Sequence, residues 1–122
     1  MFEITIPVYK FPSLNHTYVR SINRTFKSKE VKEYQQTLAD VVKYSMLSKK
    51  FTMISKTTFI TLELSFYVKN IHRDLDNMLK STIDSLQGIL FENDKQIIKL
   101  VAYKFKYTDY EFKSETLCLK VY

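Results

Sequence analysis

Residues 58–68 read as a strand, and from Ile60 to Val68 the chain alternates without a break. Ile60, Leu62, Leu64, Phe66 and Val68 are apolar, and Thr61, Glu63, Ser65 and Tyr67 stand between them. A period of two over this length describes a half-buried strand with one face inward and one outward. Such a strand needs hydrogen-bonding neighbours at its edges and a cover over its apolar face. The rest of the chain supplies both. Residues 2–8 alternate in the same way, with Phe2, Ile4, Ile6 and Val8 on one side. Residues 97–107 read as a strand, followed by a turn near Asp109-Tyr110. Residues 115–121 form a last strand with Leu117, Leu119 and Val121 on one face. Residues 17–27 read as a short hairpin turning near Asn23. The chain has one glycine, so asparagine must serve where positive φ is needed.

Two segments carry the other period. Ser28 reads as an N-cap. The helix it opens runs to about Lys49, with Val31, Tyr34, Leu38, Val41 and Met46 on one face. A second helix is predicted from about Asp76 to Leu90, with Leu75, Met78, Leu79, Ile83, Leu86, Ile89 and Leu90 in one sector. Strand, hairpin, helix, strand, helix, strand, strand is the order of an α+β (mixed α/β) fold. One mixed sheet with two helices packed on it is the expected architecture.

The 122 residues fit one domain spanning 1–122, and 45% hydrophobic content is enough for a core. A single cysteine, Cys118, excludes an intramolecular disulfide framework and suits a reducing compartment. No stretch approaches the ~20 apolar residues of a membrane span. The alternating start with Glu3 does not read as a signal peptide. A cytoplasmic, membrane-free protein is expected. The net charge is +6 and unevenly spread. Residues 1–69 hold 11 Lys/Arg against 5 Asp/Glu, whereas residues 70–122 hold 8 of each. A basic surface attracts nucleic acid, although 16 lysines against 3 arginines also fits simple compositional bias.

The acids of the second half concentrate around Arg73-Asp74-Leu75-Asp76-Asn77, Lys80, Asp84 and Asp94. On the helical wheel Asp76, Lys80, Asp84 and Gln87 line the border of the apolar sector, each about one turn after the last. Such a border is expected to face a cleft. Asp74 precedes the helix, and residues two apart share a side in extended chain. Asp94 comes from a separate element. Carboxylates in this number suit Mg²⁺, a hard cation that takes oxygen ligands and keeps several waters. A nearby ammonium, Lys80, suits a phosphate or a developing negative charge. Together these are the parts of a metal-assisted phosphodiester hydrolase. Each residue also has a plainer use. Asp74 or Asp76 can cap the helix, Asp76–Lys80–Asp84 can be i,i+4 ion pairs, and Asp94 can be a turn residue.

At these residues the sequence resembles the RusA family of Holliday junction resolvases. The family pattern is DxDN, a lysine four residues after the second Asp, and a later Asp before a strand. Pro12-Ser13-Leu14-Asn15 resembles the family's Pro-Ser-x-Asn segment. The resemblance implies a Mg²⁺- or Mn²⁺-dependent endodeoxyribonuclease acting on four-way junction DNA in recombination and repair. It implies a homodimer that makes paired symmetric nicks, in a bacterial or phage-infected cell. It makes Asp74, Asp76 and Asp94 the metal-binding acids, Lys80 the catalytic lysine and Arg73 a DNA-contacting residue. One departure stands out: where many members have an acidic pair, this chain has Asn93-Asp94.

Other residues follow from the charge pattern. Arg20, Arg24, Lys27, Lys29 and Lys32 form a basic stretch expected to meet phosphates, or else a solvated face. His16 and His72 lack ligand spacing for zinc. No organic cofactor is expected, because one glycine cannot build a phosphate loop. Phe59, Tyr67, Tyr103, Phe105 and Tyr107 make the second face of the sheet a candidate dimer surface, with cover by the chain's own helices as the alternative. Two other functions fit the same residues: a nuclease for flapped or otherwise branched DNA, and a catalytically silent nucleic-acid-binding protein of the same fold.

Overall fold

The computed structural model describes residues 1–12, 18–21, 24–27 and 29–122. Its elements in chain order are β1 (Phe2–Tyr9), β2 (Tyr18–Ser21), β3 (Arg24–Lys27), α1 (Lys29–Ser48), β4 (Ile60–Val68), α2 (Leu75–Leu86), β5 (Ile97–Lys106) and β6 (Glu115–Val121). The α+β expectation holds: a four-stranded mixed sheet in the order β1-β6-β4-β5, with both helices packed on it. The hairpin read near Asn23 is β2 paired antiparallel to β3, in register Tyr18↔Lys27 to Ser21↔Arg24. The proposed N-cap, Ser28, lies outside the described residues.

The central strand does what its alternation dictates. Ile60, Leu62, Leu64, Phe66 and Val68 are buried, and the residues between them are half-buried. β6 runs antiparallel to β4 on one side, and β5 runs parallel on the other. A parallel pair cannot be joined by a tight turn, so the chain must cross back over the sheet. α2 makes that crossing and lands on the apolar face. Phe2 and Ile6 of β1, and Leu117, Leu119 and Val121 of β6, complete the sheet's share of the core.

The two helices meet through small residues. Ser81, Thr82 and Ser85 of α2 are buried. Thr82 Oγ1 donates to the Met78 carbonyl at 2.8 Å, which leaves it to accept from the Tyr34 hydroxyl at 2.6 Å. Gln35 Nε2 donates to the Ser81 carbonyl at 2.9 Å. On α1, Val42 is fully buried and Val41 only partly, a small rotation from the expected face.

The structure corrects one boundary. α2 ends at Leu86, not near Leu90. Gln87 is extended, and Gly88 takes φ +84° with its amide bonded to the Phe91 carbonyl. Only glycine adopts that conformation without strain, so the one glycine stops the helix. The apolar pattern misled because Leu90 and Phe91, though in the turn, are fully buried.

The face of the sheet away from the helices has two halves. One is polar: Lys120 lies 3.8 Å from Glu3 and 3.7 Å from Glu63. Glu3 first, then Glu63, raises the Lys120 pKa. The other half is aromatic. Tyr67 packs on Phe105, Tyr110 and Phe112 at centroid distances of 5.2, 4.9 and 4.6 Å, and Tyr103 stacks on Phe105 at 5.6 Å. Three of the five aromatics singled out from sequence meet here. Phe59 precedes β4 and is exposed, and Tyr107 opens a single 3-10 turn. No helix among the described residues is long and apolar enough to cross a membrane.

Burial pushes the Tyr34 phenol well above its usual value, with the Thr82 hydrogen bond acting weakly the other way. The phenolate is disfavoured in the fold and not in the unfolded chain. Its contribution is therefore intact below about pH 10 and lost as pH rises beyond it. Stability measured by urea unfolding should fall above that pH, and Tyr34→Phe should make the decline shallower.

Candidate functional site

The acidic motif sits where β4 leaves the sheet and α2 begins. After Val68 the chain turns on Asn70. Its side-chain oxygen accepts from the His72 amide at 3.0 Å and its carbonyl from the Arg73 amide at 3.1 Å. Asp74 is then the N-cap of α2, with φ −74° and ψ 117°, and its Oδ1 accepts from the Asp76 amide at 2.9 Å. The plain capping role is thus real for Asp74. It uses one carboxylate oxygen and leaves acceptor capacity on the other. Asp76 lies in the first turn, where the helix dipole favours negative charge. Lys80 follows one turn later and Asp84 one turn after that. All four, and Gln87, are exposed, so among the described residues the expected cleft along this border does not form.

Arg73, the residue expected to contact DNA, turns its side chain inward. Its side chain is 14% exposed, with Nη1 3.4 Å from Glu115 Oε1, and Nη2 donates to the Pro12 carbonyl. Glu115, 6% exposed at the side chain, also accepts from the Phe11 amide at 2.7 Å and the Lys69 amide at 2.8 Å. Lys104 of β5 donates to the Arg73 carbonyl at 2.7 Å. Sequence reasoning missed both Glu115 and Lys104. The available signal was a charge opening a strand whose next residues, Thr116 and Leu117, are buried, and a charge in register with buried Phe66.

Asp94 stands elsewhere. It opens a 3-10 turn before β5, capped by Asn93, whose Oδ1 accepts from the Lys95 amide at 2.9 Å. Gln96 anchors this turn by donating to the carbonyls of Ser55 and Thr58 at 2.7 and 2.9 Å. Asn93, the departure from the acidic pair, has a complete role as a cap. The Asp94 amide donates to Gln87 Oε1 at 3.0 Å, which puts it beside the C-terminal end of α2. Asp74 caps the other end. Twelve helical residues at 1.5 Å each separate the two ends by roughly 18 Å. Among the described residues no three His, Cys, Asp or Glu side chains group to hold one metal ion. The donor chemistry suits Mg²⁺, but one chain does not fold its three acids around it.

Lys29 and Lys32 are exposed on the first turns of α1, with Lys29 3.8 Å from Glu33. Arg20, Arg24 and Lys27 lie on the β2–β3 hairpin, and their side chains fall outside what is described, as do His16 and Ser13–Asn15. His72 is exposed on the Asn70 turn. A groove of about 470 Å³ runs between the exit of β1 and the start of α1, lined in part by Lys10, Pro12, Glu33 and Tyr34. No candidate acid lines it.

A comparison with protein families matches residues 7–111 to the model described as endodeoxyribonuclease RusA. The match covers most of the chain and contains Asp74, Asp76, Lys80 and Asp94. This chain belongs to the RusA endodeoxyribonuclease family, the class of nuclease that acts on four-way DNA junctions. No curated protein matches it.

The cap role of Asp74 is tested by substitution. Asp74→Ala should cost about 1 kcal/mol in chemical unfolding, whereas Asp74→Asn keeps a capping oxygen and should cost only a few tenths.

Proposed function

We propose that this protein is a Mg²⁺-dependent homodimeric nuclease that resolves four-way DNA junctions by paired symmetric nicks in recombination and repair, with Mn²⁺ as a substitute ion. The observation that carries this reading is the Asp74–Asp76 pair, presented at a helix N-terminus with Lys80 one turn on, inside a RusA family match. A bound ion would supply a water activated for attack and neutralise phosphate charge. Asp74, Asp76 and Asp94 would hold it. Lys80 would sit at the phosphate. The basic stretch of Arg20, Arg24, Lys27, Lys29 and Lys32 would hold DNA backbone.

The separation of Asp94 from the pair favours a site shared between two copies. β5 is an edge strand and ends beside Arg73, through Lys104. Its beginning follows Asp94 directly. A two-fold axis that runs β5 antiparallel to its copy carries the partner's Asp94 toward Asp74 and Asp76. Exposed Ile98, Leu100 and Tyr103 on that strand, with Tyr103 in the aromatic half of the open face, give such a contact apolar area to bury. Two-fold symmetry also matches a two-fold junction, and it yields two active sites in the orientation that paired cuts need.

The test is cleavage of a labelled synthetic four-way junction with Mg²⁺. Asp76→Asn should abolish cleavage while junction binding persists. Loss of both would assign Asp76 to the structure alone. Mixing Asp76→Asn with Asp94→Asn chains should then restore cleavage at one site per heterodimer, because that pairing rebuilds one complete set of acids. No restoration would mean that the acids act within one chain. The same separation of Asp94 also fits a silent junction-binding protein. Wild-type protein that binds the junction but never cleaves it with Mg²⁺ or Mn²⁺ would favour that reading.

A further inference from the structure

Lys104 and Lys106 are the two charges in the inner row of their strand. The register of β5 against β4 puts Leu100, Ala102, Lys104 and Lys106 in the rows of Leu62, Leu64, Phe66 and Val68, the residues of the apolar face. Lys104 is half-buried there rather than fully in solvent. A lysine stem can lie along apolar surface while its ammonium finds a polar partner. That partner is the Arg73 carbonyl at 2.7 Å, which belongs to the peptide joining Arg73 to Asp74.

Arg73 is held by further contacts. Its amide donates to the Asn70 carbonyl at 3.1 Å. Its guanidinium lies against Glu115, itself fixed by the Phe11 and Lys69 amides, and reaches the Pro12 carbonyl. On the far side, the Asp74 carboxylate is tied to the Asp76 amide. The peptide plane before Asp74 and the carboxylate after it are therefore both constrained. Lys104 is the contact from the edge strand that closes this set.

We infer that Lys104 is a positioning residue: its ammonium fixes the Arg73–Asp74 peptide and so aims the Asp74 carboxylate, with Arg73 and Glu115 as the anchor beneath. The inference rests on the reading of Asp74 as an active-site acid. It assigns the arginine of the motif to the interior and the fixing of its carbonyl to a lysine from β5. Because Lys104 lies near the end of β5, it also links the acids to the edge on which the second copy is proposed to pack.

The experiment compares Lys104→Met, which keeps the stem and removes the donor, with Lys104→Arg, which restores one. Two readouts are taken on the full chain: single-turnover cleavage of the four-way junction against Mg²⁺ concentration, and the NMR shifts and hydrogen exchange of the Asp74–Asn77 amides. Lys104→Met should slow cleavage by about 10²-fold, as a misplaced group does. It should raise the Mg²⁺ concentration needed, leave junction affinity unchanged, and disturb the Asp74–Asn77 amides. Lys104→Arg should recover part of each. Three results overturn the inference: unaltered amides, which would make any cleavage loss a direct contact with DNA; disturbed amides with wild-type cleavage; or an equal loss of junction affinity. Wild-type protein that cleaves no junction would sink the proposed function instead, and the amide readout would still decide whether Lys104 orders the motif.

Discussion

A buried carboxylate ties the acidic motif to the sheet. Glu115 accepts from the amides of Phe11 and Lys69 and faces the guanidinium of Arg73. Those donors come from three places: the exit of β1, the exit of β4 and the acidic motif. A carboxylate this deep is costly unless its lone pairs are filled and its charge is met, and here both conditions are satisfied. Removing the partner charge leaves an unpaired buried acid, so the three chain exits are fixed as a unit rather than separately. The acids at the start of α2 inherit their position from that unit.

Above this anchor the fold is a division of labour between the two sheet faces. The inner face carries the apolar rows that α1 and α2 cover. The outer face carries an ion-paired half around Lys120 and an aromatic half around Tyr67 and Phe105. The parallel β4–β5 pair forces α2 to cross the sheet, and that crossing separates the acids. Asp74 and Asp76 begin the crossing helix and Asp94 follows its end. A parallel pair with a helical crossover cannot bring both ends of the helix to one point in one chain.

Much of the fold was legible along the chain because it depends on local periodicity. Alternation at Ile60–Val68 and at Leu117–Val121 marked strands, and the 3.6-residue pattern through Val31, Tyr34 and Leu38 marked α1. The Asp74 cap was also legible, since an Asp before an apolar helical run has few other backbone uses. The end of α2 was misread because Leu90 and Phe91 enter the core from a turn, and burial alone does not distinguish a turn from a helix. The burial of Arg73 was not legible either, because its contacts, Glu115 and Pro12, lie far away in sequence.

The sequence by itself determined the elements, the mixed sheet, and the set of residue types able to hold a hard cation beside an ammonium. These follow from side-chain pattern and short-range backbone chemistry, which act over a few residues. Only the tertiary structure decided which charges point inward, that Lys104 and Glu115 secure the motif, and that one chain holds its acids at two ends of a helix. Those outcomes depend on strand register and crossover direction, which join residues distant in sequence and leave no periodic trace in it.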